Sequence, residues 1–168
     1  MNKKVTEFLW WIVFMFFLLL SAVVEAKETF YRHDVHWLAM NIYHEARNEP
    51  TTGQLAVAHV TINRVESSHY PNSIEKVVKQ QRRGICQFSW FCDGKSDVPK
   101  NKKVFDEIYK LAESILLRYN RNDIYDITEG ATHYHAVYVS PRWSRADEMT
   151  RIARIGLHIF YRYEKVVW

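Results

Sequence analysis

Two carboxylates, a histidine and an arginine lie close together in residues 44–49, where the pattern of apolar residues indicates the end of a helix. Glu45 and Glu49 are one helical turn apart, which places their Cβ atoms ~6 Å from each other. Glu45 also follows Ile42 by three residues and therefore borders the apolar stripe of that helix. A carboxyl group at such a border is partly desolvated, which raises its pKa and favours a protonated group able to act as a general acid. A solvated helix end without chemistry is the alternative for such a cluster.

The elements around this cluster are predicted from the spacing of apolar residues. A helix over 35–47, with Asp34 as its N-cap, ends at the Asn-Glu-Pro sequence of 48–50. The next helix is predicted from a cap at Thr51 or Thr52 to about Glu66, with Gln54 as capping-box partner and a buried stripe of Leu55, Ala58, Ile62 and Val65. A short helix capped by Ser73, an irregular loop over 81–100 and a helix over 102–119 follow. The chain then forms a strand over 132–139 and one or two antiparallel strands over 151–162, for which a helix is the competing assignment. Together they predict a mostly helical α+β domain with a small antiparallel sheet.

The N-terminal segment has the pattern of an export signal. Two lysines precede an unbroken apolar run over 8–20, and Val24-Glu25-Ala26 is a small-x-small sequence at which a signal peptidase could cut. The run is also at the short limit of a membrane span, so an uncleaved signal anchor is the alternative. We expect the protein to contact a membrane only through such an uncleaved segment. We therefore divide the chain into a signal over 1–26 and a functional domain over 27–168, exported to the periplasm or secreted.

Composition limits the class of partner. The 168 residues are 48% apolar and 25% charged, which excludes collagen-like, low-complexity and highly charged disordered chains and predicts one compact domain. The formal net charge of +4 suits an anionic polymer. The basic residues are scattered and form no stripe, so we expect no nucleic-acid partner. The sequence leaves the oligomeric state open.

The chain's two cysteines, Cys86 and Cys92, lie in the irregular loop, and the residues between them are mostly aromatic or polar. Thiols of exported proteins are normally oxidised, so we expect a disulfide, with two free thiols or a metal site as alternatives. So small a closed loop gains only modest stability from the cross-link, and the main effect of the bond is to fix the shape of the segment between the cysteines.

Several segments occur in an order that is typical of one enzyme family. They are residues 42–50, with Glu-Ala-Arg at 45–47; residues 53–58; residues 62–65, with Asn-Arg-Val at 63–65; Tyr70-Pro71; Val77-Val78; Gln87-Phe88; and residues 155–161. On these segments the chain resembles the cell wall hydrolases of the spore-cortex-lytic (SleB-type) family, from about Leu38 to about Tyr161. The Glu-Ala-Arg and Asn-Arg-Val motifs in series make the resemblance specific.

The resemblance implies a lysozyme-like fold and a peptidoglycan glycosidase of the lytic transglycosylase type, which needs no cofactor or metal. It assigns the catalytic acid to Glu45, with Arg47 and Glu49 as candidates for supporting it. The family usually has Gly where this chain has Asn48. Asn tolerates a positive φ better than other non-glycine residues, so we expect the turn to survive.

The implied chemistry is cleavage between N-acetylmuramic acid and N-acetylglucosamine, in which a carboxylic acid protonates the glycosidic oxygen. If the sugar's own acetamido group assists, or its 6-hydroxyl attacks the anomeric carbon, one carboxyl group suffices and later acts as a base. Hydrolysis by water would need a second carboxylate across the cleft. Glu49 lies on the same helix as Glu45 and is a poor candidate for that position.

Two segments are candidates for substrate binding, because they combine flat apolar faces with hydrogen-bonding groups. Their candidate residues are Gln87, Phe88, Ser89 and Trp90 in the disulfide loop, and His133, Tyr134 and His135 in the predicted strand. Alternation places the two histidines on one face of that strand. Packing into the core is the alternative for the aromatic loop, and half-exposed strand positions without a function are the alternative for the histidines.

Two other functions compete with the glycosidase. A Zn-dependent wall amidase or peptidase could take two ligands from His133 and His135 and a third from His44, His59 or Glu45. That spacing is permissive, and the chain has no His-Glu-x-x-His sequence. A non-catalytic wall-carbohydrate-binding protein, which would bind without cleaving, is the other alternative.

Overall fold

The computed structural model describes the backbone of residues 3–164 and the side chains of residues 10–20 and 31–164. The chain divides into two compact units, Met1–His33 and Asp34–Trp168. Helix α1 (Lys3–Ala46) runs through the described part of the first unit and continues into the second. The predicted N-cap at Asp34 is therefore wrong, because the backbone from Lys3 to Asp34 is already helical and the sequence has no proline or glycine before Pro50.

In the first unit, the side chains at 10–20 are apolar and exposed. The side chains of the predicted cleavage motif at 24–26 lie outside the described residues, so the signal over 1–26 stays a prediction. Within the part of the chain that the structure describes, no helix has both the length and the hydropathy that crossing a membrane requires.

In the second unit, α1 ends at Ala46, one residue before the predicted end, and α2 (Thr51–Glu66) begins directly after Pro50. Neither threonine caps α2: both are helical, and Pro50 occupies the cap position without a side-chain hydrogen bond. The Gln54 side chain instead donates a hydrogen bond to the backbone oxygen of Glu49 at 3.1 Å, which ties the first turn of α2 to the end of α1.

Helix α2 is the centre of the core. Its buried residues surround the helix, so the single stripe that we predicted is too narrow, and two of its members, Leu55 and Val65, are only half-buried. On one side Ala56 and Val60 form a buried cluster with Ala131 and Phe160 from the sheet region. A helix covered on most sides holds its polar residues in fixed positions, and two of these, Asn63 and Arg64, contact the segment that leads into β3.

The remaining helices follow the prediction closely. Helix α3 (Ile74–Val78) is capped by Ser73, whose hydroxyl oxygen accepts a hydrogen bond from the Lys76 backbone N–H. Helix α4 (Lys102–Asn120) is capped by Asn101. Its apolar residues recur at helical spacing, and Ile108, Ala112, Ile115 and Leu116 are buried.

Two antiparallel sheets complete the domain. The larger has the order β3–β5–β4, formed by β3 (His133–Ala136), β4 (Met149–Ile155) and β5 (His158–Tyr163). This confirms the strand predicted in the 130s, which is shorter than expected, and confirms two strands over 151–162 in place of the competing helix. The predicted α+β class, mostly helical with a small antiparallel sheet, is thus confirmed.

The loop over 81–100 is mostly irregular, as predicted, and Cys86 and Cys92 form the predicted disulfide. The loop also contains a short hairpin of β1 (Gln81–Arg82) and β2 (Ile85–Cys86) that the sequence did not reveal. Its two-residue turn needs a positive φ at both central positions, which Arg83 and Gly84 supply. Arginine is not a typical first residue of such a turn, so the signal was weak.

Candidate active site

Glu45 lies in the last turn of α1 and lines a hollow of about 220 Å³. The hollow is bounded by the end of α1 and by the sheet; its lining residues are His44, Glu45, Ala46, Arg47, Asn48, Glu49, Ala136, Tyr138, Leu157 and His158. Ile42, one turn before Glu45, is fully buried. Glu45 therefore stands at the border between core and cleft, where its spacing from Ile42 predicts it.

The Glu45 carboxylate accepts a hydrogen bond from the Tyr134 hydroxyl, with Oε2 and the phenol oxygen 3.0 Å apart. Burial raises the pKa of Glu45, since desolvation penalises the ionised form most. The Tyr134 hydrogen bond and the charge of Arg64 oppose this effect and lower the pKa in part. The net direction is upward, as a general acid requires.

Tyr134 is held by its neighbours in the sheet. Its ring lies 5.6 Å from Phe160 and 5.1 Å from His158, both on β5. Burial, together with the Glu45 charge, raises the pKa of Tyr134 well above its ordinary value. The phenol therefore keeps its proton and remains a hydrogen-bond donor to Glu45.

Arg64 is a buried cation on α2 whose side chain our sequence reasoning did not identify as part of the site. The residue is only 5% exposed, and its Nε donates a hydrogen bond to the Thr132 backbone oxygen at 2.7 Å. The guanidinium lies over the rings of Tyr70 and Phe88, 5.4 Å and 5.0 Å from their centroids. Its Nη1 has no hydrogen-bond partner among the described residues. The signal was present in the sequence, because Arg64 belongs to the Asn-Arg-Val motif.

Asn63, the other polar member of that motif, fixes the turn that leads into β3. Its side-chain amide lies within hydrogen-bond distance of the Asp126 carboxylate at 2.9 Å and the Ala131 backbone oxygen at 3.0 Å. Asp126 also accepts hydrogen bonds from the backbone N–H groups of Thr128 and Gly130. Asn63 therefore connects α2 to the segment immediately before β3, the strand that carries Tyr134.

Glu49 lines the same hollow as Glu45 and holds the β4–β5 turn against the end of α1. Its side chain is 6% exposed, and its carboxylate accepts a hydrogen bond from the Leu157 backbone N–H at 3.2 Å. His158 Nδ1 is 3.8 Å from Glu49 Oε1, too far for a hydrogen bond, and burial lowers the pKa of His158, which disfavours an ion pair. Gly156, with φ of 57°, brings the β4–β5 turn close to this carboxylate. Glu49 thus joins the end of α1 to the turn.

Asn48 and Arg47 have simpler surroundings. Asn48 is exposed and is not among the described non-glycine residues with positive φ, so this turn does not need the left-handed conformation that we expected asparagine to supply. Arg47 is exposed, and its guanidinium lies 5.2 Å from the centroid of the Tyr43 ring.

A larger hollow, of about 580 Å³, adjoins the first and shares His44 and Arg47 with it. We call it the wide groove; its lining residues are Tyr43, His44, Arg47, Trp90, Asp93, Lys95, Ser96, Asp97, Val98, Lys100 and Asn101. The His44 ring stacks on Trp90 with centroids 4.3 Å apart, and its Nε2 lies 3.0 Å from the Asp97 backbone oxygen. His44 therefore connects the helix that carries Glu45 to the loop that lines this groove.

The aromatic loop divides between core and groove. Phe88 is 2% exposed and lies under the Arg64 guanidinium, so its ring supports the site from the core and has almost no surface to offer a sugar. Trp90 lines the wide groove, and its Nε1 donates a hydrogen bond to the buried Asn41 side chain at 3.1 Å. Gln87 is half-buried and Ser89 is exposed; neither lines one of the two hollows.

His133 and His135 lie on the opposite face of β3 from Tyr134, so they do not line the hollow with Glu45. His133 contacts Thr132 and Tyr70 through its ring nitrogens, and burial with the Arg64 charge lowers its pKa to about 4. His135 Nε2 lies 3.1 Å from the Tyr161 hydroxyl oxygen. Alternation correctly placed the histidines together but could not tell which face meets the catalytic candidate.

Among the described side chains, no three from His, Cys, Asp and Glu are grouped so that they could hold a metal ion. The ring nitrogens of both strand histidines lie within hydrogen-bond distance of protein oxygens.

Comparison with known proteins identifies relatives over most of the chain. The spore cortex-lytic enzyme of Bacillus subtilis (strain 168) is 33% identical over 134 residues, which cover 78% of this chain and 38% of the relative. The corresponding enzyme of Bacillus cereus is 30% identical over 136 residues, with 77% and 44% coverage. The chain therefore spans less than half the length of these curated relatives.

Solved structures give a likeness at the level of a domain. The catalytic domain of the germination-specific lytic transglycosylase SleB from Bacillus anthracis superposes with a TM-score of 0.57 and 29% identity, covering 77% of this chain and 93% of that chain. The catalytic domain of the Bacillus cereus SleB protein superposes with a TM-score of 0.55 and 28% identity, covering 77% of this chain and 89% of that chain. These neighbours confirm the predicted lysozyme-like fold class.

The family model described as Cell Wall Hydrolase matches residues 48–161. The match begins three residues after Glu45, so the case for Glu45 itself depends on its surroundings in the structure. The match includes Arg64 and Tyr134, which follow Glu45 in the chain and interact with its carboxyl group. On the family match and on the relatives above, the chain belongs to the cell wall hydrolase family.

Proposed function

We propose that this chain is an exported enzyme that cleaves the glycan strands of peptidoglycan as a lytic transglycosylase, with Glu45 as its single catalytic acid. The observation that carries the proposal is a buried carboxyl group in the wall of a cleft, with its pKa raised by burial and one oxygen held by Tyr134. The solved lytic transglycosylase domain that the chain resembles supports the reaction type.

In the proposed reaction, protonated Glu45 gives its proton to the glycosidic oxygen between N-acetylmuramic acid and N-acetylglucosamine. The bond from the muramic acid anomeric carbon to that oxygen breaks, and positive charge develops on the sugar ring. The 6-hydroxyl of the same muramic acid then bonds to the anomeric carbon. Its proton returns to the Glu45 carboxylate, so the products are a 1,6-anhydro sugar and a free 4-hydroxyl, and no water is consumed.

The surroundings of Glu49 favour this route over hydrolysis. Hydrolysis with inversion needs a second carboxylate across the sugar to activate water. Glu49 is the other carboxylate lining the hollow, and its oxygens already accept the Leu157 backbone N–H. A carboxylate engaged in this way, on the same helix end as the acid, is poorly placed to act as that base.

Tyr134 and Arg64 act as positioning residues in this proposal. The Tyr134 hydrogen bond fixes one Glu45 oxygen, which leaves the other free for the glycosidic oxygen. Once Glu45 has lost its proton, the same hydrogen bond and the buried Arg64 charge stabilise the carboxylate until it takes the proton back.

The smaller hollow offers a place for a sugar ring beside Glu45. Tyr138, which lines this hollow, is 82% exposed. Aromatic rings provide flat apolar faces on which sugar rings can lie. We expect the sugar next to the bond that is cleaved to lie in the smaller hollow, with the Tyr138 ring beside it.

Peptidoglycan lies outside the cytoplasm, so the proposal includes export. The basic start and the apolar run over 8–20 have the pattern of an export signal, with the functional domain in 27–168. If the signal is not cleaved, the same segment would hold the enzyme at the membrane.

The test is digestion of purified peptidoglycan sacculi with the parent chain and with Glu45→Gln, followed by mass spectrometry of the products. We expect 1,6-anhydromuropeptides from the parent and at least a hundredfold lower rate from the variant, since an amide cannot donate the proton. Glu107→Gln, the same change on the exposed face of α4, is the matched control and should keep the parent rate.

Other outcomes would contradict the proposal in distinct ways. New reducing ends would indicate hydrolysis, and freed stem peptides would indicate an amidase. Loss of activity in excess EDTA would favour the Zn-dependent alternative. Binding to sacculi without any soluble product would favour a non-catalytic wall-binding protein, and cleavage by Glu45→Gln at the parent rate would exclude the proposed acid.

A further inference from the structure

We propose that the wide groove binds the anionic peptide stem of the substrate, with the Arg47 guanidinium as its principal carboxylate contact. The inference rests on the proposed function, because it takes peptidoglycan as the substrate. It adds a substrate preference: strands that carry peptide stems with free carboxylates should bind more tightly than strands without them.

Arg47 is available to bind an anion. Its side chain is exposed, and its one hydrogen bond is a long one, 3.4 Å to the backbone oxygen of Tyr43 in its own helix. No carboxylate of the described residues lies within ion-pair distance of its guanidinium. The Tyr43 ring, 5.2 Å away, supports the guanidinium from one side. Arginine offers a planar pair of N–H donors that matches a carboxylate, and here that pair is not occupied by a protein anion.

The charges of the groove leave a positive excess for a ligand. Lys95 and Asp93 neutralise each other, with Nζ and Oδ2 3.2 Å apart. Lys100 is exposed, and the described part of the chain places no carboxylate within ion-pair distance of it. Arg47 and Lys100 therefore oppose a single remaining acid, Asp97. Two cations in a groove with partly apolar walls attract a ligand with several carboxylates.

The walls of the groove are already in place before any ligand binds. His44 Nε2 lies 3.0 Å from the Asp97 backbone oxygen, and the Tyr43 hydroxyl accepts a hydrogen bond from the Asn101 backbone N–H at 3.0 Å. Trp90 is stacked on His44 at the other wall. These contacts fix both ends of the segment 97–101 to α1, so little ordering is needed when a ligand enters.

The position of the groove matches the chemistry of the substrate. The peptide stem is attached to the lactyl group of N-acetylmuramic acid, the sugar whose anomeric carbon is attacked, and its first free carboxylate is on the second residue. When the bond to be cleaved lies at Glu45, the stem must leave the smaller hollow beside it. The wide groove adjoins that hollow through His44 and Arg47, and its volume of about 580 Å³ exceeds the 220 Å³ of the smaller one.

The test is a binding measurement on the full chain carrying Glu45→Gln, kept in solution with mild detergent, so that no cleavage interferes. The ligands are N-acetylglucosaminyl-N-acetylmuramyl-L-Ala-D-Glu and the same compound with both glutamate carboxylates converted to amides. The two have nearly the same size and differ in charge. Isothermal titration at low and at high salt gives both affinities.

We expect the diacid to bind about tenfold more tightly than the diamide, which corresponds to about 1.4 kcal/mol. Added salt should weaken binding of the diacid and leave binding of the diamide nearly unchanged. Arg47→Gln should remove most of the difference and Lys100→Gln part of it, whereas Asp97→Asn should increase it. Lys103→Gln, an exposed lysine outside the groove, is the matched control for loss of net charge.

Equal binding of diacid and diamide would overturn the inference, and so would an equal loss from Lys103→Gln and Arg47→Gln, which would indicate a general charge effect. Failure of both ligands to bind would overturn it as well. None of these outcomes depends on turnover, so they are distinguishable from failure of the proposed acid, which is measured on sacculi.

Discussion

Replacing Tyr134 with phenylalanine tests whether the hydrogen bond to Glu45 controls when the acid is protonated. The substitution keeps the ring between Phe160 and His158 and removes the hydroxyl that lies 3.0 Å from Glu45 Oε2. This hydrogen bond favours the ionised carboxylate and lowers the pKa of Glu45. Its loss should therefore raise that pKa and extend the protonated, active form to higher pH.

The size of the effect follows from the strength of the bond. A hydrogen bond to a charged group contributes about 1.5–3 kcal/mol. Loss of that stabilisation increases the ratio of protonated to ionised Glu45 by about tenfold or more at a fixed pH. We divide the rate of each enzyme at alkaline pH by the plateau rate of the same enzyme at acid pH. This ratio should be about tenfold higher for Tyr134→Phe than for the parent.

The assay is release of soluble muropeptides from sacculi between pH 4 and pH 9, with parent and variant normalised to their plateaus. Tyr138→Phe is the matched control, because Tyr138 lines the same hollow with its ring exposed to water and has no bond to Glu45. An alkaline limb that does not move in Tyr134→Phe, or that moves equally in both variants, would refute the reasoning.

Three further predictions concern stability. Because burial raises the pKa of Glu45 above 4.5, the folded parent loses stability as pH rises from that value towards the folded pKa. Glu45→Gln lacks this loss, so its melting temperature relative to the parent should be higher at pH 7 than at pH 4. A difference in melting temperature that stays constant with pH would contradict the raised pKa. Gly156→Ala should lower the free energy of unfolding in urea by about 1–3 kcal/mol, because Gly156 has a φ of 57° and an added Cβ would clash with the Glu49 carboxylate. The loss should exceed that of Gly94→Ala, where φ is 74° but no atom lies within 4 Å of the added Cβ. Asn63→Ala should cost about 1–3 kcal/mol by the same measurement, because it removes the hydrogen bond to the backbone oxygen of buried Ala131 and one of those that hold Asp126; an unchanged midpoint would mean that water replaces the amide.

Features that depend on neighbouring residues could be predicted from the sequence. The Ser73 cap of α3 and the disulfide between Cys86 and Cys92 have local signatures, and the structure contains both. The two failures at helix starts are also instructive. A capping residue has an effect only where a helix begins, and the backbone before Asp34 is already helical. At Thr51 the preceding proline provides the boundary, so no side-chain cap is needed.

The site itself could be predicted only in part, because most of its contacts are long-range. Helical spacing placed Glu45 at the edge of the core, but its partner Tyr134 is 89 positions away along the chain. Alternation separated Tyr134 from the two strand histidines without showing which face meets α1. That choice depends on the pairing of β3 with β5 and on how the sheet lies against α2, neither of which is encoded in a local pattern.

Arg64 explains why one residue can serve as both donor and acceptor of a proton in the proposed reaction. Burial alone would make ionised Glu45 so unfavourable that the carboxylate formed after proton donation would be a high-energy species. A buried cation and a hydrogen-bond donor reduce that penalty without reversing the upward shift of the pKa. Any general acid becomes a carboxylate when it gives up its proton, and in the proposed reaction that carboxylate lies beside the 6-hydroxyl until it takes a proton back. The opposed effects at Glu45 therefore suit a single residue that acts first as an acid and then as a base, the two roles that the proposed reaction gives it.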